Sequence, residues 1–465
     1  MKQALNPSDN NTNTTPCDSG HDIAHRLAHL DLKGMPPTPQ RLIQWLDVIA
    51  MAGYNGLLVE WEDSFPWQVD ARFASPTAYD LDFIAHFHHE AANRNLQVIP
   101  LVQTLGHMEM VLRLPEYESL REKPDRYDSL LANSDQGRDL MLAMISEVLD
   151  VMPTQPRYMH IGGDEAWYFA QHPSHADYLK DHDKADLFIA HYKPFFQWLN
   201  QRNIRPIIWH DMLRGWSDAT IKQLADHTDI MAWGYQGHPD TANEKQPHHH
   251  RHLDQLSRCN IELWGASAFK GAKFPYDDMP DTDQRLVNTQ GWVDVAKRYK
   301  LKGIANTGWS RYSTFRLQCC PMEGALDVLA ATGELITHGQ LSDDAVEHWQ
   351  DKLVKAGHTE LPAIKQCLSQ ISSLRERSWD TIRKLRENTV MMSLDPRYED
   401  LRVDDKHAFY IADHLHELHD LADELRTLMS GKVPEIWVDR YLAERIRPIE
   451  QAFDDARQAQ PISTS

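Results

Sequence analysis

The chain has 465 residues, of which 42% are hydrophobic and 25% charged, and its formal net charge at pH 7 is −20. This is an ordinary globular composition, and its acidic balance argues against nucleic acid or an anionic membrane as a partner, because both require a basic face. No segment approaches the ~18 consecutive apolar residues of a membrane span, and the opening residues lack the apolar core of a secretory signal. The five cysteines form no CxxC pair, which favours a reducing, cytoplasmic location.

The chain is expected to divide into three parts. Residues 1–20 are rich in Asn, Thr and Ser without periodicity, which is typical of a disordered tail. Residues 21–338 alternate short apolar runs with amphipathic segments of helical length. Residues 339–465 carry long charged segments with helical periodicity. We expect this C-terminal helical region to cover barrel helices or a partner subunit, as in a homodimer.

The alternation in residues 21–338 predicts the fold class. A strand followed by a helix, repeated about eight times, is the pattern of an α/β protein with a (β/α)₈ TIM barrel. An open doubly wound sheet would alternate in the same way, but its first strand is usually followed by a Gly-rich phosphate turn, which HLDLKGMPP is not. The predicted strands lie in RLAHLDL, NGLLVEW, LQVIPLV, RYMHIGG, IRPIIWH, DIMAWGY, IELWGAS and KGIANTG.

Candidate functional residues gather at the predicted strand ends, where the active sites of such barrels lie. Carboxylates and tryptophans dominate these positions, and four of the tryptophans fall in nearly the same register. Tryptophan is often ordinary core, but the shared register favours an aromatic-lined site. In chain order, the strand ends carry Asp31 and Lys33; Glu60, Glu62 and Asp63; Gln103 and His107; Asp164 and Glu165; Trp209 and Asp211; Trp233 and Tyr235; Trp264 and Ser267; Trp309 and Arg311.

The most informative segment is HIGGDE at residues 160–165. Its two glycines allow a tight turn, after which Asp164 and Glu165 can both face the mouth of the barrel. Two neighbouring carboxylates do not ionise independently, so one acquires the raised pKa that a general acid needs. A solvated acidic turn is the alternative for an isolated Asp-Glu pair. A zinc site is not favoured, because the first strand offers His29-Leu30-Asp31 instead of an HxH pair.

These residues carry a family resemblance. HIGGDE resembles the signature of family 20 glycoside hydrolases, the β-N-acetylhexosaminidases, and the chain is most similar to their hexosaminidase D group. The resemblance spans about residues 24–335. Five further blocks contribute to it, in order: RLAHLDLKGMPP, NGLLVEWEDSFPW, VIPLVQTLGHMEMVLR, WGASAFKGA and TGWSRYSTF.

The resemblance implies an exo-acting, retaining enzyme that removes terminal β-linked N-acetylgalactosamine or N-acetylglucosamine from a glycan or glycoconjugate. In this family the 2-acetamido oxygen of the substrate is the nucleophile, and an oxazolinium forms. The resemblance assigns Glu165 as general acid and base, and Asp164 as the group that orients the acetamido nitrogen. It implies neither a metal nor an organic cofactor.

The resemblance also implies substrate-binding residues. Arg26 matches an arginine that holds the outer sugar hydroxyls, for which a fork of donors is suited. His107 matches a histidine that buttresses the catalytic acid, with Glu62 or Asp63 as its carboxylate partner. Asp211 would accept from a sugar hydroxyl. The aromatic walls of the sugar site would come from Trp209, Trp233 and Trp309, and Trp264 is a further candidate for substrate binding.

Two departures from the family pattern affect sugar recognition. Many members have a Trp-Tyr pair after the seventh strand, whose hydroxyl binds the acetamido oxygen, whereas this chain has Phe269. We assign that role to Tyr235. Many members also place Glu two residues after the last-strand Trp, where this chain has Arg311. Two other classes of function stay open: a non-catalytic sugar-binding barrel and a metal-dependent amidohydrolase.

Overall fold

The computed structural model describes residues 23–243, 246, 248–272, 277–395 and 405–458, and eight parallel strands close into a barrel within it. Each strand pairs with the next, and β8 pairs with β1. The predicted (β/α)₈ fold is therefore confirmed, whereas the tail predicted at residues 1–20 lies outside the described residues. The strands are β1 (His25–Asp31), β2 (Gly56–Glu60), β3 (Gln97–Leu101), β4 (Tyr158–His160), β5 (Arg205–Trp209), β6 (Asp229–Trp233), β7 (Leu263–Lys270) and β8 (Gly303–Gly308).

Helices lie between the strands and continue beyond the last one. The barrel region contains α1 (Pro39–Met51), α2 (Leu81–Asn93), α3 (Glu109–Leu112), α4 (Asp135–Asp150), α5 (Lys184–Asn200), α6 (Asp218–Lys222), α7 (His250–Arg258), α8 (Thr282–Tyr299) and α9 (Leu326–His338). The C-terminal helices are α10 (Ala345–Lys355), α11 (Leu361–Leu394), α12 (Asp405–Met429) and α13 (Glu435–Gln458). No helix among the described residues combines the length and the apolar character needed to cross a bilayer.

The strands are apolar because both of their faces are buried. All five residues of β2 are buried, since its outer face is covered by helices and its inner face fills the barrel. The first helix shows how the chain marks its boundaries. The Thr38 side chain caps α1 by accepting from the backbone N–H of Arg41, and Pro39 supplies a first helical residue that needs no donor. The loops at the carboxyl ends of the strands are left to build the site.

The C-terminal helices contribute to two buried apolar clusters. Trp349 and Leu353 of α10 belong to the same buried apolar cluster as the barrel helices. Helices α11, α12 and α13 bury a second cluster of their own, which includes Leu374, Leu425 and Tyr441. Division of the chain into domains at residue 338 therefore stays a proposal.

Two loops of the barrel are tied to α13. Asp278, in the loop before α8, accepts from the Tyr441 hydroxyl at 2.5 Å and from Arg445 Nε at 2.8 Å. In the loop after β8, the carbonyl of Gln318 accepts from the Arg445 guanidinium at 2.6 Å. The N–H of Gln318 donates to the Glu444 carboxylate at 2.9 Å. Helix α13 thereby holds both loops next to the mouth of the barrel.

Candidate active site

A cavity of about 240 Å³ opens at the carboxyl ends of the strands. Its walls come from the ends of β1, β2, β3, β4, β6 and β8 and from the loops that follow β7 and β8, so most of the barrel contributes to it. The lining residues are Lys33, Glu60, Gln103, His107, Asp164, Glu165, Trp233, Tyr235, Ala272, Trp309 and Tyr312. This is the position at which barrel enzymes place their chemistry.

The turn after β4 has room for glycine only. Gly162 and Gly163 have φ angles of 69° and 99°, a region that glycine adopts without a steric penalty. A Cβ on Gly162 would also lie 1.9 Å from the Gln103 side-chain oxygen. Similarly, a Cβ on Gly106 would lie 2.0 Å from the carbonyl oxygen of Asp164, so the turns after β3 and β4 approach closely.

Three polar residues at neighbouring strand ends adopt left-handed backbone conformations. Glu62, His107 and Glu165 have φ angles of 44°, 55° and 46°. Such conformations cost free energy for a residue with a Cβ, and they persist only where the surroundings enforce them. They turn the backbone sharply in the loops that follow β2, β3 and β4.

The His107 imidazole lies against both acidic residues of the HIGGDE segment. Its Nε2 is 3.3 Å from Asp164 Oδ2 and 3.6 Å from Glu165 Oε2. The prediction that Glu62 or Asp63 would be the partner of His107 is therefore wrong. The sharp turn at His107 directs the ring toward β4, whereas Glu62 and Asp63 contact other groups.

The charges around this cluster set its protonation. Burial lowers the pKa of His107, but the carboxylates of Asp164 and Glu165 outweigh that effect and raise it to about 10. The imidazole is therefore a cation at neutral pH. Burial raises the pKa of the Glu165 carboxyl above its usual range, and the charge of His107 opposes part of this shift. A carboxyl with a raised pKa is suited to donate a proton.

The two carboxylate oxygens of Asp164 differ in their contacts. Its Oδ2 faces His107, whereas Oδ1 is buried and accepts no hydrogen bond from any described residue. A buried carboxylate oxygen without a partner is costly. Because Asp164 also lines the cavity, an N–H donor on a bound ligand would satisfy this oxygen.

Asp211 lies behind the cavity and does not line it. Its Oδ2 accepts from the backbone N–H of Glu165 at 3.0 Å, and its Oδ1 accepts from the Trp233 indole N–H at 3.0 Å. The contact of Asp211 with a sugar hydroxyl stays a prediction, since each of these oxygens can accept a second hydrogen bond. Burial, together with the charge of Asp164, raises the pKa of Asp211.

Three of the predicted aromatic residues line the cavity. Trp233 and Tyr235 stack with ring centroids 5.3 Å apart, and Tyr235 meets Trp309 at 6.4 Å. Trp209 is also at a strand end, but it is fully buried inside the barrel, where it packs on His160 at 4.2 Å. Trp209 therefore supports the base of the site and is not part of its wall.

Lys33 and Glu60 line the cavity, although no role was predicted for them from the sequence. The buried Lys33 ammonium lies 3.0 Å from Asp31 and 2.8 Å from Glu60, and 5.4 Å from the Trp309 ring centroid. Burial lowers the pKa of Lys33, but the charges of Asp31 and Glu60 raise it well above its usual range, so the ammonium stays charged. The signal for both residues was their place at the first two strand ends.

Gln103 was a candidate at the third strand end without a predicted role, and Tyr312 was missed. Gln103 lies at the third strand end and donates to Glu60 at 3.5 Å. Tyr312 comes from the loop after β8, and its hydroxyl donates to the Gly271 carbonyl at 2.5 Å. No periodicity in the sequence marks Tyr312, because it lies in an irregular loop.

Glu62, Asp63 and Arg311 lie beside the cavity without lining it. The Arg311 guanidinium donates to Asp63 at 2.8 Å, and this pair joins the loops after β2 and β8. Glu62 accepts from the Thr314 hydroxyl at 3.3 Å. Burial raises the pKa of Glu62, although the nearby charge of Lys33 opposes the shift. These residues are placed to support the loops around the cavity.

Two predicted site residues lie at the opposite end of the barrel. The Arg26 guanidinium donates to the carbonyls of Gly53 and Ile23, at 2.8 and 2.9 Å, near the start of β1. Trp264 is the second residue of β7 and is fully buried. The prediction that Arg26 and Trp264 bind substrate is wrong, because both side chains lie at the amino ends of their strands.

Two buried histidines, at the ends of β4 and β5, accept backbone hydrogen bonds. His160 accepts from the Gly162 N–H at 3.0 Å, and His210 accepts from the Trp233 N–H at 3.3 Å. Within the described ranges, no group of three or more His, Cys, Asp or Glu side chains is arranged to hold a metal ion.

A closed parallel barrel with a histidine-bound carboxylate pair and an aromatic wall defines the class of protein as a barrel glycosidase. Residues 24–255 match the family model described as glycosyl hydrolase family 20, catalytic domain. The chain is 33% identical to human hexosaminidase D, over 69% of this chain and 67% of that protein. It is 31% identical to the Bos taurus hexosaminidase D, over 69% and 94% of the two chains. The chain therefore belongs to glycoside hydrolase family 20.

The family resemblance expected from the sequence is thus confirmed, and the protein is a glycoside hydrolase of the β-hexosaminidase type. Solved structures share the fold at low identity. A Flavobacterium johnsoniae chitobiase aligns with a TM-score of 0.56 and 14% identity, over 93% of this chain and 71% of that one. A Bacteroides fragilis β-N-acetylhexosaminidase aligns with a TM-score of 0.51 and 17% identity, over 72% and 70%.

Proposed function

We propose that the protein is an exo-acting β-N-acetylhexosaminidase that uses the 2-acetamido group of its substrate as the nucleophile and retains the anomeric configuration. The substrates are glycans or glycoconjugates that end in β-linked N-acetylgalactosamine or N-acetylglucosamine. The observation that carries this proposal is Asp164, a residue of the cavity lining whose buried Oδ1 accepts no hydrogen bond from any described residue. An acetamido N–H would supply the missing donor.

In this mechanism Glu165 protonates the glycosidic oxygen while the acetamido oxygen attacks the anomeric carbon. The bond to the leaving group breaks, and a bicyclic oxazolinium forms. Asp164 accepts from the acetamido nitrogen and stabilises its developing positive charge. Glu165, now ionised, then takes a proton from the water that opens the oxazolinium. The raised pKa of Glu165 supports the first role.

The state of the other carboxylates supports a nucleophile that comes from the substrate. Glu60 is the third carboxylate that lines the cavity, and its two oxygens contact Lys33 at 2.8 Å and Gln103 at 3.5 Å. Asp211 accepts from two protein donors behind the wall. A conventional retaining glycosidase needs a second carboxylate that is free to attack the sugar.

Sugar binding is assigned to the remaining groups of the cavity. The Trp233, Tyr235 and Trp309 rings offer apolar faces to the acetamido methyl and the pyranose ring. Tyr235 provides the hydroxyl for the acetamido oxygen, because Phe269 has none. Lys33 supplies a buried cation for the outer hydroxyls, which is the task first expected of Arg26. The volume of about 240 Å³ suits one terminal sugar, in keeping with exo action.

A cytoplasmic location is part of the proposal. It is supported by Cys259, Cys319, Cys320 and Cys367, which are free and buried thiols. The homodimer also stays a prediction, and sedimentation equilibrium would test it.

The mechanism is tested with substrates that lack the acetamido group. β-Glucosides and β-galactosides should be essentially inert, since they carry no nucleophile. A thiazoline analogue of the oxazolinium should bind much more tightly than the free sugar, because it mimics the charged intermediate. Asp164→Asn should weaken this preference and slow turnover, whereas Asp177→Asn, at a carboxylate that is 91% exposed, should change neither. A covalent adduct of a 2-fluoro sugar on any enzyme carboxylate would contradict the proposal.

A further inference from the structure

A second, larger cavity adjoins the active site. Its volume is about 680 Å³, and it is formed by the loops after β3, β4 and β8. His107, Glu165 and Tyr312 line both cavities, so the two are continuous. Apart from these three residues, no role has been assigned to its lining, and we call this cavity the outer groove.

The outer groove presents aromatic rings to solvent. Trp167 is 72% exposed, Phe315 59% and Tyr127 39%, which is unusual for side chains of this size. Tyr127 and Phe315 come from different loops, yet their ring centroids are 5.6 Å apart. The Arg121 guanidinium packs on the Tyr127 ring at 4.5 Å, so this aromatic pair is supported by a cation.

Polar groups of both signs lie among these rings. The lining includes Asp125, Asp128 and Glu109, and also Arg126 and Arg316. A lipid would require a continuous apolar surface, and a polyanionic chain would require an excess of cations. Aromatic faces combined with cationic donors and anionic acceptors fit uncharged sugar rings, whose faces are apolar and whose edges carry hydroxyls.

The position of Glu165 fixes which part of a substrate reaches the groove. Glu165 protonates the glycosidic oxygen, so the leaving part of the substrate must lie on the side of Glu165. That residue stands at the junction of the two cavities. The sugars beyond the scissile bond are therefore directed into the outer groove.

From these observations we infer that the outer groove binds uncharged sugar residues on the reducing side of the scissile bond, with Trp167 and Phe315 as stacking platforms. The inference rests on the proposed function. It adds a substrate class, namely neutral oligosaccharides of at least two or three residues.

The test compares two substrates that carry the same terminal amino sugar. The glycosyl fluoride has a single-atom leaving group that cannot reach the groove, whereas a neutral trisaccharide fills it. We expect Trp167→Ala and Phe315→Ala to lower kcat/KM for the trisaccharide by about three- to tenfold, the size of one lost aromatic contact. Hydrolysis of the fluoride should change by less than about twofold, because its leaving group does not reach either ring. The loss of one aromatic contact would change the rate by at least that factor. Phe409→Ala, at a ring that is 68% exposed on α12, is the matched control and should affect neither substrate.

The outcomes distinguish a failure of the groove assignment from a failure of the proposed function. If the wild type cleaves the fluoride but the two variants cleave the trisaccharide normally, the assignment of the groove is overturned and the proposed function stands. Equal losses on both substrates would also overturn it. A loss restricted to a glycolipid or to a uronate-containing trisaccharide would overturn the choice of neutral sugars. If the wild type cleaves neither substrate, the proposed function fails and the groove assignment fails with it.

Discussion

The backbone N–H of Glu165 donates to Asp211 Oδ2 at 3.0 Å. This bond joins the turn after β4 to the end of β5, and it fixes the residue that carries the proposed acid in its left-handed conformation. Asp211 also accepts from the Trp233 indole at 3.0 Å. One carboxylate behind the cavity therefore orients both the proton donor and part of the aromatic wall.

Replacement of Asp211 should slow turnover more than it weakens binding. Asp211→Asn keeps one acceptor oxygen but places an NH₂ against the second donor, and Asp211→Ala removes both bonds. A hydrogen bond to a charged group contributes about 1.5–3 kcal/mol, so kcat should fall at least tenfold in Asp211→Ala and less in Asp211→Asn. Steady-state kinetics with an aryl N-acetylhexosaminide would test this. A rise in KM at constant kcat would instead assign Asp211 a direct contact with the sugar.

Glu165→Gln tests the general acid. The amide cannot protonate the glycosidic oxygen, so hydrolysis of disaccharides with poor leaving groups should almost cease. An activated dinitrophenyl glycoside needs no protonation and should lose far less. Rates for a series of leaving groups, plotted against the pKa of the leaving phenol, should become steeper in the variant. A similar loss throughout the series would remove Glu165 from this role.

The charge on His107 should appear in the pH profile. Glu165 must be protonated to act as acid, so kcat/KM declines as the pH rises through the pKa of Glu165. The His107 imidazolium lowers that pKa, and its own pKa of about 10 keeps it charged across the working range. His107→Gln removes the cation, so the basic limb of kcat/KM should move to higher pH while the maximal rate falls. A basic limb at unchanged or lower pH would contradict this account.

Arg445 tests whether the C-terminal helices position the site. Its buried guanidinium joins Asp278 to the Gln318 carbonyl. Arg445→Met should lower the free energy of unfolding by about 3–5 kcal/mol, since it leaves buried partners unpaired. It should also reduce kcat/KM, because the loop after β8 carries Tyr312.

The matched control is Arg426→Met on α12. Arg426 pairs with Asp423 and Asp439 at 2.7 Å, but its side chain is 40% exposed. Such a surface pair contributes about 1 kcal/mol at most, so chemical denaturation and kcat/KM should hardly change. If both arginine variants behave alike, α13 has no specific part in holding the loops.

The fold was predictable because burial on both faces gives barrel strands continuous apolar runs. The predicted run RYMHIGG contains β4, and HIGGDE follows the strand into the cavity. Gly162 and Gly163 predicted a tight turn, because glycine adopts positive φ angles without a steric penalty. The structure shows positive φ angles and close neighbours at both residues. The local sequence therefore identified Asp164 and Glu165 as neighbours at the mouth of the barrel.

The errors concern positions along a strand and directions of side chains. Arg26 and Trp264 lie within predicted apolar runs, but β1 and β7 start next to them, so both face the closed end of the barrel. The partner of His107 depends on its left-handed backbone, which periodicity does not reveal. Lys33 and Glu60 form a buried ion pair between adjacent strands, and this pairing requires the register of β1 with β2.

The left-handed conformations of Glu62, His107 and Glu165 reduce the free energy of unfolding, and they lie in the turns where the chemistry is proposed. At these positions, the residues that activity requires should therefore lower the unfolding temperature. Glu165→Gly and Glu165→Ala both remove the acid, but only glycine relieves a φ of 46°. The inactive glycine variant should accordingly unfold at a higher temperature than the inactive alanine variant. Selection for heat resistance alone would be expected to erode this site first.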